Sequence, residues 1–441
     1  MENKVIAFIQ NIEEKIIAYR RDFHKFPEVG WTEFRTASII ARRLTDLGYK
    51  VQVGKEVLKD EERMGLPSEE ELTFHYNRAL EQDGDSEFME ALKGGFTGVV
   101  GSLDLGVGPV IALRFDIDAL KIAESQEKEH IPFKLGFSSV NENIMHSCGH
   151  DAHAAIGLGV AETLAAVRDE IKGAGKIKLI FQPAEEGVRG AKAMVAAGVL
   201  DDVDYVIGGH IMAAVPSGTL ICGDNGFMAT TKFDVTFKGL AAHAGGAPNE
   251  GKNAMLAACT AVLNLNAIPR HREGFSRINV GLLQSGTDRN IIPEDTFMKV
   301  ETRGQTTKVN EYIREYAVRV IENSAKMHEV DYAINYVGAA MGAICSQELV
   351  RRVKSIGEDL NSFDQIIEVS DEASGSEDFT YMINKVQQNG GEGVYFLVGT
   401  DYKAGHHNTR FDINEKDLIK MVKLFTMLTL DILEKDNTLR A

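Results

Sequence analysis

Short unbroken apolar runs alternate with helical periodicity along much of this chain. Residues 109–115 (PVIALRF), 176–181 (KIKLIF), 203–208 (VDYVIG) and 393–398 (GVYFLV) each read as a strand buried on both faces. Residues 152–167 and 190–197, lying between the first three runs, read as helices. Strand and helix in alternation predict an α/β fold with a mostly parallel sheet and helices on both faces. Upstream, Val5, Ile9, Ile12, Ile16, Tyr19 and Phe23 recur at three- and four-residue steps, predicting one amphipathic helix over 3–23 that stops at Pro27. A second helix is expected over 33–47, ending at Gly48. Residues 54–95 are dense in charge and open a helix with a capping box at Ser68-Glu69-Glu70-Glu71. They read as a solvated surface excursion, with an inserted flap as the alternative.

The pattern then changes. Residues 231–238, 276–283, 296–302 and 330–337 look like strands, and 253–266 and 309–327 like helices. That order, βαββαβ, predicts a smaller α+β unit over 227–337, inserted into a catalytic domain made of 1–226 and 338–441. The large-sheet pattern resumes after it.

Composition narrows the class. The 441 residues suffice for two or three domains with sizeable cores. A net charge of −17, from 48 Lys and Arg against 65 Asp and Glu, argues against nucleic acid or an anionic membrane as partner. Neither a secretory signal nor a membrane-length apolar run is visible, and four scattered cysteines do not form a disulfide framework. A cytoplasmic protein is expected.

Candidate chemistry gathers at the strand ends, where α/β sheets bind ligands. Met145-His146-Ser147-Cys148-Gly149-His150-Asp151-Ala152-His153 packs a thiol and three imidazoles beside a helix start. A thiolate and an imidazole one glycine apart suit zinc or a similar ion. Asp116 and Asp118 follow the first run, Glu185 and Glu186 the second, His210 the third, and His406 and His407 the fourth. Jointly they predict a metal site with one glutamate as ligand and the other as general base. His24, at a helix end, reads as solvated or capping. In the inserted unit, His243 lies in a Gly/Ala-rich loop and Asn290 in Arg289-Asn290-Ile291-Ile292-Pro293.

The motifs Arg20-Arg21-Asp22-Phe23-His24, Arg114-Phe115-Asp116-Ile117-Asp118, Cys148-Gly149-His150-Asp151-Ala152-His153 and Gln182-Pro183-Ala184-Glu185-Glu186-Gly187, with Gly375-Ser376-Glu377-Asp378-Phe379, resemble the M20 metallopeptidase family in its N-acyl-amino-acid amidohydrolase branch. The excursion at 54–95 resembles most the aminobenzoyl-glutamate hydrolases of that branch. The resemblance implies two divalent ions, zinc or manganese, held by Cys148, His150, Glu186, His210 and His407. It makes Glu185 the base, His243 a group that polarises the scissile carbonyl across a homodimer, and Asn290 a substrate-binding residue. It also implies a lid or dimerisation role for the inserted unit and raises partnership with a second hydrolase subunit. Thr409 departs from the proline usual two residues after the last ligand, and His407 is chosen over His406 by its spacing to Phe411-Asp412. Within this reading p-aminobenzoyl-glutamate competes with hippurate-like and N-acetyl amino acids as substrate. A hydrolase using Cys148 as nucleophile leaves the other ligands without a task, and a non-catalytic partner protein leaves Glu185 without one.

Overall fold

In the computed structural model, which describes residues 2–372, 375–401 and 404–440, the apolar runs become the centre of one large sheet. In chain order the strands are β1 (Lys50–Val53), β2 (Val99–Asp104), β3 (Val110–Asp116), β4 (Lys176–Gln182), β5 (Tyr205–Met212), β6 (Thr219–Ile221), β7 (Ala229–Lys238), β8 (Ser276–Ser285), β9 (Asp295–Gly304), β10 (Asp331–Ala340), β11 (Gln365–Ile367) and β12 (Glu392–Gly399). The large sheet has the order β1-β2-β4-β3-β5-β12-β6-β11. Strands β4, β3, β5 and β12 run parallel, and Leu113, Leu179, Ile207 and Phe396 on them are fully buried. Antiparallel β1 and β2 flank this centre on one side, and β6 pairs antiparallel with β12 on the other. These flanking strands are short or partly exposed, so they lack the long apolar signature of a central strand.

The helix His150–Val167 is buried on nearly every face, which is why its sequence is apolar all round rather than striped. The expected helix over 3–23 is two helices, Glu2–Asn11 and Glu13–Lys25, broken at Ile12. The excursion is less solvated than expected. Ser68 Oγ caps the helix Glu69–Glu81 by accepting the Glu71 N–H at 3.2 Å. Yet Ala79, Met89 and Leu92 are buried, and the indole N–H of Trp31 donates to the Met64 carbonyl at 2.8 Å. Helices Glu69–Glu81 and Ser86–Leu92 both pack on helix Phe34–Asp46.

A second compact unit takes residues Phe227–Ala343 and a short segment ending at Thr380. Its sheet, β10-β7-β9-β8, is antiparallel throughout. Helices Ala254–Asn266 and Thr307–Met327 share one core with it, built on Phe233, Val235, Phe237, Ala257, Ala261, Ile313, Ala317 and Ile321. The boundary expected at 337 falls inside β10. A register shift between Tyr336 and Gly338, followed by Ala339 and Ala340, erases the alternation there. No helix among the described residues is long and apolar enough to cross a membrane.

Candidate active site

The carboxyl ends of β3, β4, β5 and β12 deliver acids and imidazoles to one edge of the large sheet. Asp116 closes β3 and Asp118 follows it, Glu185 and Glu186 follow β4, and His406 and His407 follow β12. His210 does not follow its strand, as expected, but lies inside it. Strand β5 runs on to Met212 because His210 and Met212 stay in register with Leu397 and Gly399 of β12. Cys148 and His150 come from the turn that opens helix His150–Val167. Gly149 sits there at φ +91°, where a Cβ would meet Ile211 at 2.7 Å, so only glycine fits.

The hydrogen bonds of the imidazoles sort them by what each nitrogen can do. His150 donates from Nδ1 to the Asp118 carbonyl at 3.0 Å, and its buried Nε2 has no hydrogen-bond partner among the described residues. His210 donates from Nδ1 to the Ile211 carbonyl at 2.6 Å, so its Nε2 lone pair faces Cys148 Sγ at 3.6 Å. His153 is committed at both ends, to Asp116 through Nδ1 and to the Ile211 N–H through Nε2 at 3.0 Å. His406 is committed likewise. Its Nε2 accepts the Ala213 N–H at 3.0 Å, which leaves the hydrogen on Nδ1, 3.7 Å from Cys148 Sγ. A ring nitrogen that carries hydrogen cannot ligate a metal. His406 is thus a donor to the sulfur, although its distance alone would group it with Cys148 and His210. His407 has its Nε2 3.3 Å from Glu186 Oε1.

Electrostatics point the same way. Burial, then the Glu186 charge, pushes the Cys148 thiol well above its usual range, so the sulfur becomes a thiolate only with a cation beside it. Burial, reinforced by His153 and His406, holds His210 neutral. Burial alone would raise Glu186, but the bond to His407 outweighs it and holds the carboxyl below the ordinary range. Cys148, His150 and Glu186 bring one ligand atom each within 4.8 Å of one another, and Cys148 Sγ also lies 3.6 Å from His210 Nε2. A tetrahedral site with metal–sulfur and metal–nitrogen bonds of ~2.3 and ~2.0 Å has a sulfur–nitrogen edge of about 3.5 Å, close to the Cys148–His210 separation of 3.6 Å. A half-buried thiol, carboxylates and imidazoles with inward lone pairs form a donor set that fits divalent ions.

Around this set lies a buried network. Arg20 donates to Asp151 at 2.8 Å and also to Asp412, while His24 bridges Asp151 at 2.8 Å and Glu124 at 2.9 Å. His24 is therefore fully buried, not solvated or capping: the helix end that looked isolated is covered by the Asp151 and Glu124 segments. A cavity of about 950 Å³ is lined among others by Ile131, Ala213, Pro216, Asn408 and Arg410, with none of the candidate ligands on its wall. In the second unit, His243 is exposed, and its Nδ1 accepts the Gly245 and Gly246 N–H groups at 3.1 and 2.9 Å. That fixes the hydrogen on Nε2. The His243 loop pairs with the Asn290 loop, where Ala244 N–H donates to the Asn290 carbonyl at 3.0 Å.

A model of Peptidase family M20/M25/M40 matches residues 112–431. The chain belongs to this family. It is 46% identical to one of the subunits of the p-aminobenzoyl-glutamate hydrolase of Escherichia coli (strain K12), over 96% of this chain and 97% of that protein. It is 45% identical to the indole-3-acetyl-aspartic acid hydrolase of Enterobacter agglomerans, with the same coverage. Among solved structures, the aminobenzoyl-glutamate utilization protein from Klebsiella pneumoniae superposes with a TM-score of 0.84 at 41% identity, over 96% of this chain and 97% of that one. As an M20 member with these relatives, the chain is a metal-dependent amidohydrolase.

Sequence reasoning noticed Asp116, Asp118 and His153 but gave them no task, and it set His24 aside. The available signal was the density of ionisable residues in otherwise apolar segments. A charge pair such as Arg114 and Asp116 at the end of a buried strand must find partners indoors, and Arg114 Nη1 meets Asp116 Oδ2 at 2.6 Å.

Proposed function

We propose that this M20 amidohydrolase cleaves the amide bond between an aromatic acyl group and an acidic amino acid, with p-aminobenzoyl-glutamate as the leading substrate. The observation that carries the reading is the pair of inward nitrogens, on His150 and His210, set around Cys148 beside Glu185 and Glu186. The substrate class is supported by the two relatives above, named for a glutamate and an aspartate conjugate of aromatic acids.

In this proposal Cys148, His150, Glu186, His210 and His407 would hold two divalent ions, zinc or manganese. Such ions act as Lewis acids that make water nucleophilic near neutral pH. Glu185 takes a proton from the attacking water and returns it to the leaving nitrogen as the C–N bond breaks, giving a free acid and a free amino acid. His243 Nε2–H donates to the carbonyl oxygen as negative charge develops, and Asn290 helps hold substrate. The second unit, Phe227–Ala343, serves as the lid and homodimer unit. Two relatives are named for one subunit of their hydrolase, which supports trying a second hydrolase subunit here.

The test is a chelator-stripped protein reloaded with zinc or manganese and offered p-aminobenzoyl-glutamate, hippurate and N-acetyl amino acids, alone and with a candidate second subunit. Hydrolysis of p-aminobenzoyl-glutamate, absent after stripping and restored by metal, is the expected result. Preference for hippurate or N-acetyl substrates would move the specificity within the same chemistry. Turnover that survives chelation but dies on alkylation of Cys148 would overturn the metal reading.

A further inference from the structure

Three consecutive amides, those of Ala184, Glu185 and Glu186, point at two buried carboxyl groups from elsewhere in the chain. Ala184 N–H donates to Glu33 Oε1 at 2.8 Å. Glu185 N–H and Glu186 N–H donate to the two oxygens of Asp118, each at 3.0 Å. Both acceptors are sealed from solvent, with Glu33 0% and Asp118 1% exposed. Ala184 sits at φ +52°, a left-handed turn that makes successive N–H groups converge on an anion. Each acceptor is itself fixed: Thr97 Oγ1 donates to Glu33 Oε2 at 2.6 Å, and Asp118 Oδ1 lies 3.3 Å from His150 Nδ1.

We propose that Asp118 and Glu33 are positioning residues for the reaction: together they clamp the turn that carries the acid pair, and Asp118 also orients His150. One carboxylate then sets the relative placement of a ligand imidazole, a ligand carboxylate and the base. The proposal rests on the reading of Glu185 as base and of Glu186 and His150 as ligands. Glu33 is the N-cap residue of helix Phe34–Asp46 and Asp118 lies just past β3, so the clamp ties two distant stretches of sequence to the 184–186 turn. Elsewhere, loss of a carboxylate that orients a metal-binding histidine typically costs roughly 10- to 100-fold in metal affinity or activity.

The decisive variant is Asp118→Asn, which keeps the shape but offers one oxygen where two N–H groups need one each. Zinc titration of the stripped protein, followed by thermal shift, should show an affinity loss of roughly 10- to 100-fold. At saturating zinc, kcat should fall while KM stays within about twofold, the mark of lost transition-state geometry rather than lost substrate binding. Wild-type zinc affinity together with wild-type kcat would overturn the proposal. Should Asp118→Asn fail to fold, the comparison passes to Glu33→Gln, which retains an acceptor for the Ala184 N–H, and Glu33→Met, which does not. Glu33→Gln should keep most of kcat and Glu33→Met should lose it, and equal rates in the two would overturn the clamp. Glu185→Gln separates the two readings. It should bind zinc normally and turn over slowly, and a fast Glu185→Gln would remove the base assignment while leaving the zinc-affinity result for Asp118→Asn in force.

Discussion

Arg20 and Asp151 form an ion pair at 2.8 Å in which neither side chain reaches solvent. Asp151 follows His150 directly, and the same guanidinium also reaches Asp412, five residues beyond His407. Helix Glu13–Lys25 thereby holds both the segment of His150 and that of His407. Removing one partner of a buried pair strands the other charge, at a cost of about 3–5 kcal/mol. Arg20→Met should therefore lower the stability measured by denaturant unfolding by that amount. Arg20→Lys should recover only part of it, since one ammonium cannot reproduce the planar fork that serves three carboxylates, of Asp151, Asp412 and Glu415.

His24 gives the stability a pH dependence of known sign. Burial alone would lower its pKa, but the hydrogen bonds to Asp151 and Glu124 outweigh that and raise it from 6.5 to about 9. Between those values the folded chain keeps a proton that the unfolded chain has lost. The contribution is complete below about pH 6.5 and disappears as pH rises through about 9. Thermal scans should show His24→Gln less stable than the parent near pH 6, with the gap closing in alkali. A gap that widens with rising pH would contradict the assignment.

Cys148 separates ligand from nucleophile. Cys148→Ala should lose bound metal and activity together, whereas Cys148→Asp, with an anionic oxygen in place of sulfur, should retain part of both. Metal analysis on the purified variants reads the outcome directly. A Cys148→Ala protein with full metal content would remove the thiol from the ligand set.

His243 and Glu185 can be tested by mixing protomers. His243→Ala and Glu185→Gln homodimers should each be slow, the first by roughly 10²–10³-fold from loss of an oxyanion donor. Mixed and allowed to exchange, they should regain activity, because one site in each mixed dimer then has both groups intact. Proven exchange without recovery would place the His243 donation within one chain.

The legible part of this protein was whatever its local pattern had to express. Central strands buried on both faces announce themselves as apolar runs, so β3, β4, β5 and β12 could be read within two residues at their starts, and the βαββαβ order of the second unit likewise. The ends were harder. Nothing local distinguishes His210 as a strand residue, because β5 is prolonged by pairing with β12. The acids that organise the site were also hidden in plain view. Asp118 and Glu33 look like loop and cap residues until the fold brings the 184–186 amides onto them. The roles of His406 and His407 depend on which nitrogen meets the Ala213 amide, a matter of ångströms that spacing along the chain does not encode.

Both turns that present the acid pair and the last histidine place a side-chain-bearing residue in left-handed backbone, Ala184 at φ +52° and His407 at φ +60°. Such conformations cost about 1–3 kcal/mol each. At position 184 a glycine would relax the turn and should raise the melting temperature, and the same relaxation would loosen the aim of Glu185. Heat tolerance and turnover therefore compete for one codon, and a lineage selected for resistance alone would drift first at the place where catalysis has most to lose.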